Sequence, residues 1–246
     1  MKNEVKGIYD RIAESWKNKV WVQSSDFNSR IVKFSEITGN EKSLDVGIGS
    51  GDLETSLSLT DVAGIDISSK MIDECRKIHP NFKLCVSDAE ALPFENECFD
   101  FVCCRNLLQH FVDPCKAFGE MYRVTKKNGK ILVIESAVYK NETFCVTPIV
   151  RVTEPHHPEF PSHELLRSLF ERYNVNNIDQ HVEGLHKKWL NGWCKSKAAT
   201  EAQREDVIKI CKSLPEWYRN KYNMAVYDSP SEIESTLTFS FIKGYK

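Results

Sequence analysis

Five residues near the beginning of the chain have the types and spacing that suit nucleoside binding. Gly47, Gly49 and Gly51 form a Gly-x-Gly-x-Gly run directly after a short apolar stretch. Glycine is needed where a backbone turns sharply and approaches a ligand closely, and the start of a following helix offers unpaired N–H groups to polar or anionic atoms. Asp66 can accept hydrogen bonds from both hydroxyls of a ribose, and Asp88 can accept one from an exocyclic amine such as that of adenine.

Each of these signals also has an ordinary structural explanation. Any strand-to-helix corner can use glycine, Asp66 can cap the helical pattern that starts at Ser68, and Asp88 can simply form a turn. The signals gain weight together because each follows a different predicted strand. Since open α/β sheets bind ligands at the carboxyl ends of their strands, we expect these residues to lie at one edge of a sheet.

Short apolar stretches alternate with helical patterns through this part of the chain. The predicted strands are 43–46, 62–67, 82–86, 100–104 and 131–135. The predicted helices lie near 52–59, 69–77 and 114–126, with at most one helical turn at 90–92. This alternation is typical of parallel strands that have helices on both faces, so the sequence predicts an α/β fold.

Composition and charge limit which partners and which cellular compartment we expect. A net charge of −2 gives no general reason to expect nucleic acid or an anionic membrane as a partner. No apolar run approaches the ~20 residues that span a bilayer, and the first residues lack the apolar core of a signal peptide. We therefore expect a cytoplasmic protein. Nine irregularly spaced cysteines without a Cys-x-x-Cys pair argue against disulfides and zinc knuckles, and favour reduced, buried thiols.

Four stretches together resemble class I S-adenosylmethionine-dependent methyltransferases, of the kind that methylate ubiquinone, menaquinone and other small molecules. They are LDVGIGSG, VAGIDISSKMI, SDAEALPFENECFDFV and EMYRVTKKNGKILVIE, and the similar region covers roughly residues 5–136. The resemblance implies a Rossmann-like, mostly parallel sheet of seven strands. It also implies S-adenosyl-L-methionine as cofactor and S-adenosyl-L-homocysteine as product. A nicotinamide-dependent dehydrogenase is disfavoured because its fingerprint, Gly-x-Gly-x-x-Gly, places the third glycine one residue later.

The cofactor-binding residues that the resemblance implies are spread from the N-terminal helix to the end of the fourth strand. The glycine run and Asp45 would cradle the amino-acid end of the cofactor, Asp66 would hold the ribose, and Asp88 would contact the adenine. Tyr9 would close over the methionine part, and the residues after the fourth strand would line the methyl end. The full set is Tyr9, Asp45, Gly47, Gly49, Gly51, Asp66, Ile67, Met71, Asp88, Ala89, Glu90, Arg105, Asn106 and Leu107.

The rest of the chain is expected to elaborate this single domain, residues 1–246. Residues 1–40 carry two amphipathic helical patterns, at 4–17 and 27–37, and would form a cap; Gly39 would stop the second helix. Residues 41–136 would form the cofactor-binding half, and 137–246 the substrate half.

The substrate half has its own capping signals. Ser162 is expected to cap a helix, and strands are predicted at 175–182 and 235–242. Residues 187–224 would form a helical insertion before the last strand. Capping-box spacings that begin at Thr200 and Ser213 predict two helices in this insertion.

Three histidines are candidates for the chemistry. Methyl transfer from a sulfonium needs mainly positioning and desolvation, plus a base where the acceptor has a proton to lose. His110 is our candidate base, because it follows the fourth strand and histidine titrates near neutral pH; a structural histidine is the alternative. His156 and His157 lie in the loop after the fifth strand, where they are candidates for acceptor binding. No third ligand is spaced to join this pair, so we predict no metal site.

The stretch 185–197, LHKKWLNGWCKSK, surrounds Trp189 and Trp193 with lysines. One interpretation is a lid whose tryptophans exclude water from the acceptor and whose lysines favour an acidic group. A second is a small RNA-binding patch, and a third is an amphipathic segment packed on the sheet. We include both tryptophans among the candidate acceptor-binding residues.

These observations favour an enzyme that methylates oxygen, nitrogen or carbon of a small molecule, without a membrane or nucleic-acid partner. Two alternatives stay open: a methyltransferase that acts on RNA or protein, and a cofactor-binding partner subunit without catalysis. Because a fold does not fix its substrate, the sequence leaves the identity of the acceptor undetermined. It leaves the oligomeric state undetermined too.

Overall fold

The computed structural model describes residues 2–16, 24–188, 199–227 and 233–246. Its strands, in chain order, are β1 Lys42–Val46, β2 Asp61–Asp66, β3 Lys83–Val86, β4 Phe99–Arg105, β5 Thr125–Ser136, β6 Asn176–Lys188, β7 Ala225–Val226 and β8 Ile233–Tyr245. They form one eight-stranded sheet in the order β3-β2-β1-β4-β5-β8-β6, with β7 pairing to β8 beside this path. The predicted mostly parallel α/β sheet is confirmed, but it has eight strands and not seven, because the short β7 adds to β8.

The sheet has a topological switch point between β1 and β4. The chain runs from β1 outward through β2 and β3, and then returns to place β4 on the other side of β1; these neighbours all pair in parallel. β5 continues the parallel part beyond β4, and β8 is antiparallel to both β5 and β6. At such a switch point the connections leave in opposite directions, which opens a crevice at the carboxyl ends of the strands.

The described helices cover both faces of this sheet. They are α1 Lys2–Trp16, α2 Ser25–Ser35, α3 Asp52–Ser56, α4 Ser69–Ile78, α5 Cys115–Val124, α6 Thr143–Arg151, α7 His163–Arg172, α8 Glu201–Ser213 and α9 Glu216–Lys221. Short 3₁₀ turns occur at Leu108–His110 and Lys140–Glu142. Among the described residues, none of these helices has both the length and the apolar character needed to cross a membrane.

Two apolar layers hold the helices to the sheet. One layer lies on the α5 and α7 side and includes Cys104, and the other lies on the α2 and α3 side and includes Cys103. These consecutive strand residues therefore face opposite sides, as the period of a strand requires. The eight described cysteines are all free thiols.

A third apolar cluster joins α6 to α8 and α9. The sequence did not predict α6, which contains Pro148, a residue that normally disfavours a helix interior. The predicted start of α8 is confirmed, because Thr200 and Gln203 form a capping box. The predicted start at Ser213 is wrong: Ser213 ends α8 and donates its hydroxyl to the Ile210 carbonyl at 2.8 Å.

The next helix begins after Pro215 instead. Proline suits this position because it has no N–H that a helix start would leave unsatisfied. α2 also ends earlier than predicted, at Ser35, and Glu36 takes the left-handed conformation at its C-cap with φ 50°. The turn at Gly39 follows as a separate feature with φ 88°.

Candidate active site

The glycine run forms the turn between β1 and α3. All three of its glycines have left-handed backbone conformations, with φ 81° at Gly47, 55° at Gly49 and 80° at Gly51. Side chains rarely tolerate this conformation. The N–H of Gly47 donates to the Ile65 carbonyl at 2.8 Å, which ties the turn to β2. A Cβ at Gly49 would lie 3.2 Å from Nε1 of Trp16, so the indole rests closely on the turn.

Asp66 ends β2 and links the glycine turn to α4. One of its oxygens accepts the N–H of Gly49 at 3.1 Å, and the other accepts the N–H of Ser68 at 2.8 Å. A carboxylate has about four acceptor positions, so both oxygens keep capacity for further donors such as hydroxyl groups. Burial raises the pKa of Asp66 to about 6, although these N–H donors oppose the shift.

Asp45 lies behind the turn and is 2% exposed. A carboxylate oxygen of Asp45, one of Glu54 on α3 and the thiol of Cys103 on β4 lie within 4.8 Å of one another. Burial, and after it the neighbouring carboxyl of Glu54, raises the pKa of Asp45 well above its ordinary value, while the guanidinium of Arg105 opposes this. Asp45 is therefore a buried acid in β1, two residues before Gly47.

The residues after β3 meet the start of α1. Lys2 forms an ion pair with Asp88 at 2.5 Å and another with Glu90. Burial alone would raise the pKa of Asp88, but the Lys2 ammonium and the N–H of Glu90 together hold it below its ordinary value. Ala89 is 5% exposed and belongs to the core. The N-terminal helix thus contacts the acid that was predicted to bind adenine.

α1 covers the glycine turn and the start of α4. Ile12, Ala13 and Trp16 pack on Met71, which is fully buried. The hydroxyl of Ser68 donates to Asp10 at 2.6 Å, which fastens the helix at its middle. Ile67, between the predicted ribose ligand and this contact, is half-buried. α1 therefore lies over the glycine turn and the start of α4.

The segment after β4 is fixed by β5. Asn106 has φ 51°, and its side-chain oxygen accepts from both the N–H and the hydroxyl of Ser136, at 3.0 and 2.9 Å. Leu107 lies against the glycine turn, 3.0 Å from the position of a Cβ on Gly47. Glu135, whose pKa burial raises to about 8, accepts the N–H of Leu108 at 2.8 Å. These contacts hold the 3₁₀ turn that ends at His110.

A polar group, which we call the histidine cluster, consists of the half-buried Tyr9 and the buried His110, Glu154 and His157. The Tyr9 hydroxyl is 2.8 Å from Nε2 of His110, and the rings of His110 and His157 are 5.6 Å apart. Burial raises the pKa of Tyr9, and the charge of Glu154 adds to this effect. The Tyr9 ring also lies 5.2 Å from that of Trp16, so the cluster continues directly into the glycine turn.

The two neighbouring histidines after α6 diverge. The side chain of His156 is 71% exposed, and its Nε2 lies 3.3 Å from a carboxylate oxygen of Glu4. His157, in contrast, is only 5% exposed. Residues 154–157 form a turn that the N–H of His157 closes onto the Glu154 carbonyl at 2.8 Å, with Pro155 in the position that proline favours. The first and last residues of this turn therefore enter the cluster, and His156 does not.

Several residues of the site were not expected from the sequence: Trp16, Glu135 and Glu154. In the sequence, Trp16 fits the apolar face of a helix, and Glu135 fits the end of a strand. Glu154 has one usable signal, the proline that follows it and predicts a tight turn. Trp189 and Trp193, predicted to contact the acceptor, lie outside the described residues.

Comparison with known proteins agrees with this geometry. Residues 44–133 match the family described as a methyltransferase domain. The uncharacterized methyltransferase YcgJ of Bacillus subtilis is 24% identical over 249 residues, which cover 97% of this chain and 97% of that protein. Demethylmenaquinone methyltransferase of Thermotoga maritima is 29% identical over 136 residues, 52% of this chain and 59% of that protein.

Solved structures show the same fold. The crystal structure of YcgJ from Bacillus subtilis has a TM-score of 0.80 at 20% identity and covers 89% of this chain and 97% of that one. Haemonchus contortus phosphoethanolamine N-methyltransferase 2, in complex with phosphomonomethylethanolamine and S-adenosylhomocysteine, has a TM-score of 0.56 at 19% identity. That match covers 90% of this chain and 52% of the other. The matched domain and the relatives are those of methyltransferases, and the chain has the fold of the solved structures.

Proposed function

We propose that the chain transfers the methyl group of S-adenosylmethionine to a small-molecule acceptor that binds at the histidine cluster. The observation that carries this proposal is the continuity between the glycine turn, Trp16, Tyr9 and His110. This continuity joins a site that suits a nucleoside to side chains that can accept or donate a proton. The burial of His110 and His157 under α1 favours a small acceptor over RNA or a folded protein.

The residues at the carboxyl edge fit the cofactor that the family implies. The glycine turn leaves backbone free of side chains, and Asp66 keeps acceptor capacity that suits the two hydroxyls of a ribose. Asp88 would accept from the adenine amine, with Met71, Ala89 and Leu107 supplying apolar surface. When bound, S-adenosylmethionine supplies a methyl group that is already activated on a sulfonium.

The acceptor side would then position a nucleophile and take its proton. His110 is the proposed base, since it can accept a proton on a ring nitrogen near neutral pH. The Tyr9 hydroxyl, 2.8 Å from its Nε2, would orient the imidazole. Tyr9 and Trp16 would exclude water from the reacting atoms, which strengthens the polar contacts around them. The product would be S-adenosylhomocysteine, and the relative named for demethylmenaquinone supports a small acceptor.

The test is transfer of a radiolabelled methyl group from S-adenosylmethionine into a cell extract that is then separated by size. We expect label in the small-molecule fraction. Label in RNA or protein would overturn the acceptor class and favour a docking role for the Lys/Trp stretch 185–197. A titration with S-adenosylhomocysteine checks that the cofactor site is intact, so binding without any transfer would favour a non-catalytic partner subunit.

A further inference from the structure

We propose that His110, Glu154 and His157 bind a divalent transition-metal ion of the zinc class. One ligand atom from each side chain lies within 4.8 Å of the others, and the three residues are 8%, 7% and 5% exposed. Zinc bonds of about 2.0–2.1 Å in a tetrahedral site separate ligand atoms by about 3.3 Å, so these atoms need to approach by about 1.5 Å at most. Changes in side-chain torsion angles cover such a distance.

The donor set selects the kind of metal. Two imidazoles and one carboxylate form the ligand set of catalytic zinc sites that keep a fourth position open. Magnesium and calcium prefer sites made wholly of oxygen atoms, and soft thiophilic ions prefer thiolates. None of the three side chains carries a thiol, and only Glu154 offers oxygen, so the set favours a borderline ion.

The local structure already orients the ligands. Nδ1 of His157 lies 2.9 Å from the Pro158 carbonyl, and metal-binding histidines usually donate the other ring N–H to such an oxygen. Nε2 of His157 is then the ligand nitrogen. Pro155 stiffens the turn that holds Glu154 beside His157, and the Nε of Arg151 donates to the His157 carbonyl at 2.9 Å. The Tyr9 hydroxyl fixes the ring of His110.

In the sequence, the neighbouring pair His156 and His157 has no third ligand near it, which is why the sequence alone predicts no metal site. In the folded chain the side chain of His156 lies apart from that of His157, and two other residues lie beside His157. His110 arrives from the segment after β4, and Glu154 from the same turn as His157. A set of three ligands therefore arises from positions that spacing alone does not connect.

The consequence for catalysis rests on the proposed function. With the ion bound, His110 would serve as a ligand in place of its role as base. An oxygen or nitrogen of the acceptor in the fourth position would then lose its proton more readily, because a bound divalent ion lowers the pKa of such a group. The ion would also offset the charge of Glu154, which by itself would repel an acidic acceptor.

The proposal is tested by titrating the full chain with Co²⁺, a coloured substitute for Zn²⁺, in the absence of cofactor and acceptor. We expect one equivalent to bind with the visible absorption of a four- or five-coordinate site, and Zn²⁺ to displace it. His157→Ala and the conservative Glu154→Gln should weaken binding by about a hundredfold, since even the groups behind metal ligands contribute about 10–100-fold.

His156→Ala is the matched control, because the ring of His156 is exposed beside Glu4, and it should bind Co²⁺ like the wild type. Unchanged S-adenosylhomocysteine affinity identifies variants that are correctly folded. The proposal is overturned if the wild type binds no Co²⁺, if His157→Ala binds normally, or if His156→Ala loses as much affinity. A near-ultraviolet thiolate-to-cobalt band would place the ion at Asp45, Glu54 and Cys103 and overturn it as well. Methyl transfer is measured separately, so either proposal can fail alone.

Discussion

The proposed cofactor side and the proposed acceptor side of the sheet are built from different parts of the chain. On the cofactor side, turns that follow β1, β2 and β3 come from one stretch of sequence, and backbone N–H groups of Gly49 and Ser68 converge on Asp66. On the acceptor side, α1, the segment after β4 and the turn after α6 each contribute separate side chains, among them Tyr9 and His157.

This difference has a chemical consequence. The part of the cofactor side that is made of backbone, the glycine turn, changes only with the path of the chain, so it suits a cofactor that stays the same across a family. A site made of side chains from distant segments changes with single substitutions that leave the sheet intact. The acceptor is therefore free to differ between proteins that share the fold.

The largest expected effect comes from breaking the cofactor side, on which both halves of the reaction depend. Gly49→Val should weaken S-adenosylhomocysteine binding by about a hundredfold or more and abolish turnover. A β-branched residue at φ 55° is strained by about 1–3 kcal/mol, and its Cβ would lie 3.2 Å from Trp16. Isothermal titration with S-adenosylhomocysteine measures the loss.

Gly7→Ala is the control for this variant, because Gly7 lies in α1, and its added Cβ would meet only Arg11 at an ordinary 3.6 Å. It should bind S-adenosylhomocysteine like the wild type. Near-normal affinity in Gly49→Val would show that the glycine turn does not cradle the cofactor.

His110→Ala should impair the acceptor side without affecting the cofactor side. Turnover should fall by about a hundredfold, the lower end of what a positioned acid–base group contributes, while S-adenosylhomocysteine affinity stays within about twofold. Tyr9→Phe keeps the ring but removes the hydroxyl 2.8 Å from Nε2, and should cost turnover less. Steady-state kinetics and titration separate the two effects. Equal losses of affinity and turnover in His110→Ala would make His110 a structural residue.

A change of pH should weaken the cofactor side moderately. Asp66 has a pKa of about 6 and must be ionised to accept from both ribose hydroxyls. S-adenosylhomocysteine affinity should therefore be constant above pH 7 and fall by about tenfold between pH 7 and pH 5, where protonation competes with binding. Asp66→Asn should remove this dependence, whereas Asp61→Asn, at the opposite end of β2 and paired with Lys83, should retain it. A flat wild-type profile would contradict the role of Asp66.

The smallest expected effect concerns the contact between α1 and the cofactor side. Lys2 occupies Asp88, which the adenine amine would need, so Lys2→Ala should raise S-adenosylhomocysteine affinity by about two- to fivefold, the range of a partly exposed ion pair. Lys6→Ala, one turn further along α1, should leave affinity unchanged because Lys6 pairs with Asp10 instead. Weaker binding in Lys2→Ala would mean that Lys2 helps to close the site.

The two sides also differ in how far the sequence predicts them. The glycines and the acids at strand ends can be predicted from the sequence. The pattern of apolar residues shows where the strands end, and hence which residues share an edge of the sheet. The positions of Glu154 and His157 cannot be predicted in this way, since the direction of their side chains depends on a turn and on the packing of α6. Ser213 shows the same limit: its spacing satisfies a capping box, but Ser213 is the last residue of α8 and the next helix begins at Glu216.

The position of β8 has a consequence for synthesis of the protein. β6 pairs only with β8 among the described strands of the sheet path, and β8 lies between β5 and β6. Between the end of β6 at Lys188 and the end of β8 at Tyr245, a ribosome adds residues for roughly 3 to 11 seconds at typical rates of about 5–20 residues per second. During that interval the edges of β5 and β6 that β8 later covers have no partner, and such unpaired edges are templates for pairing with another chain.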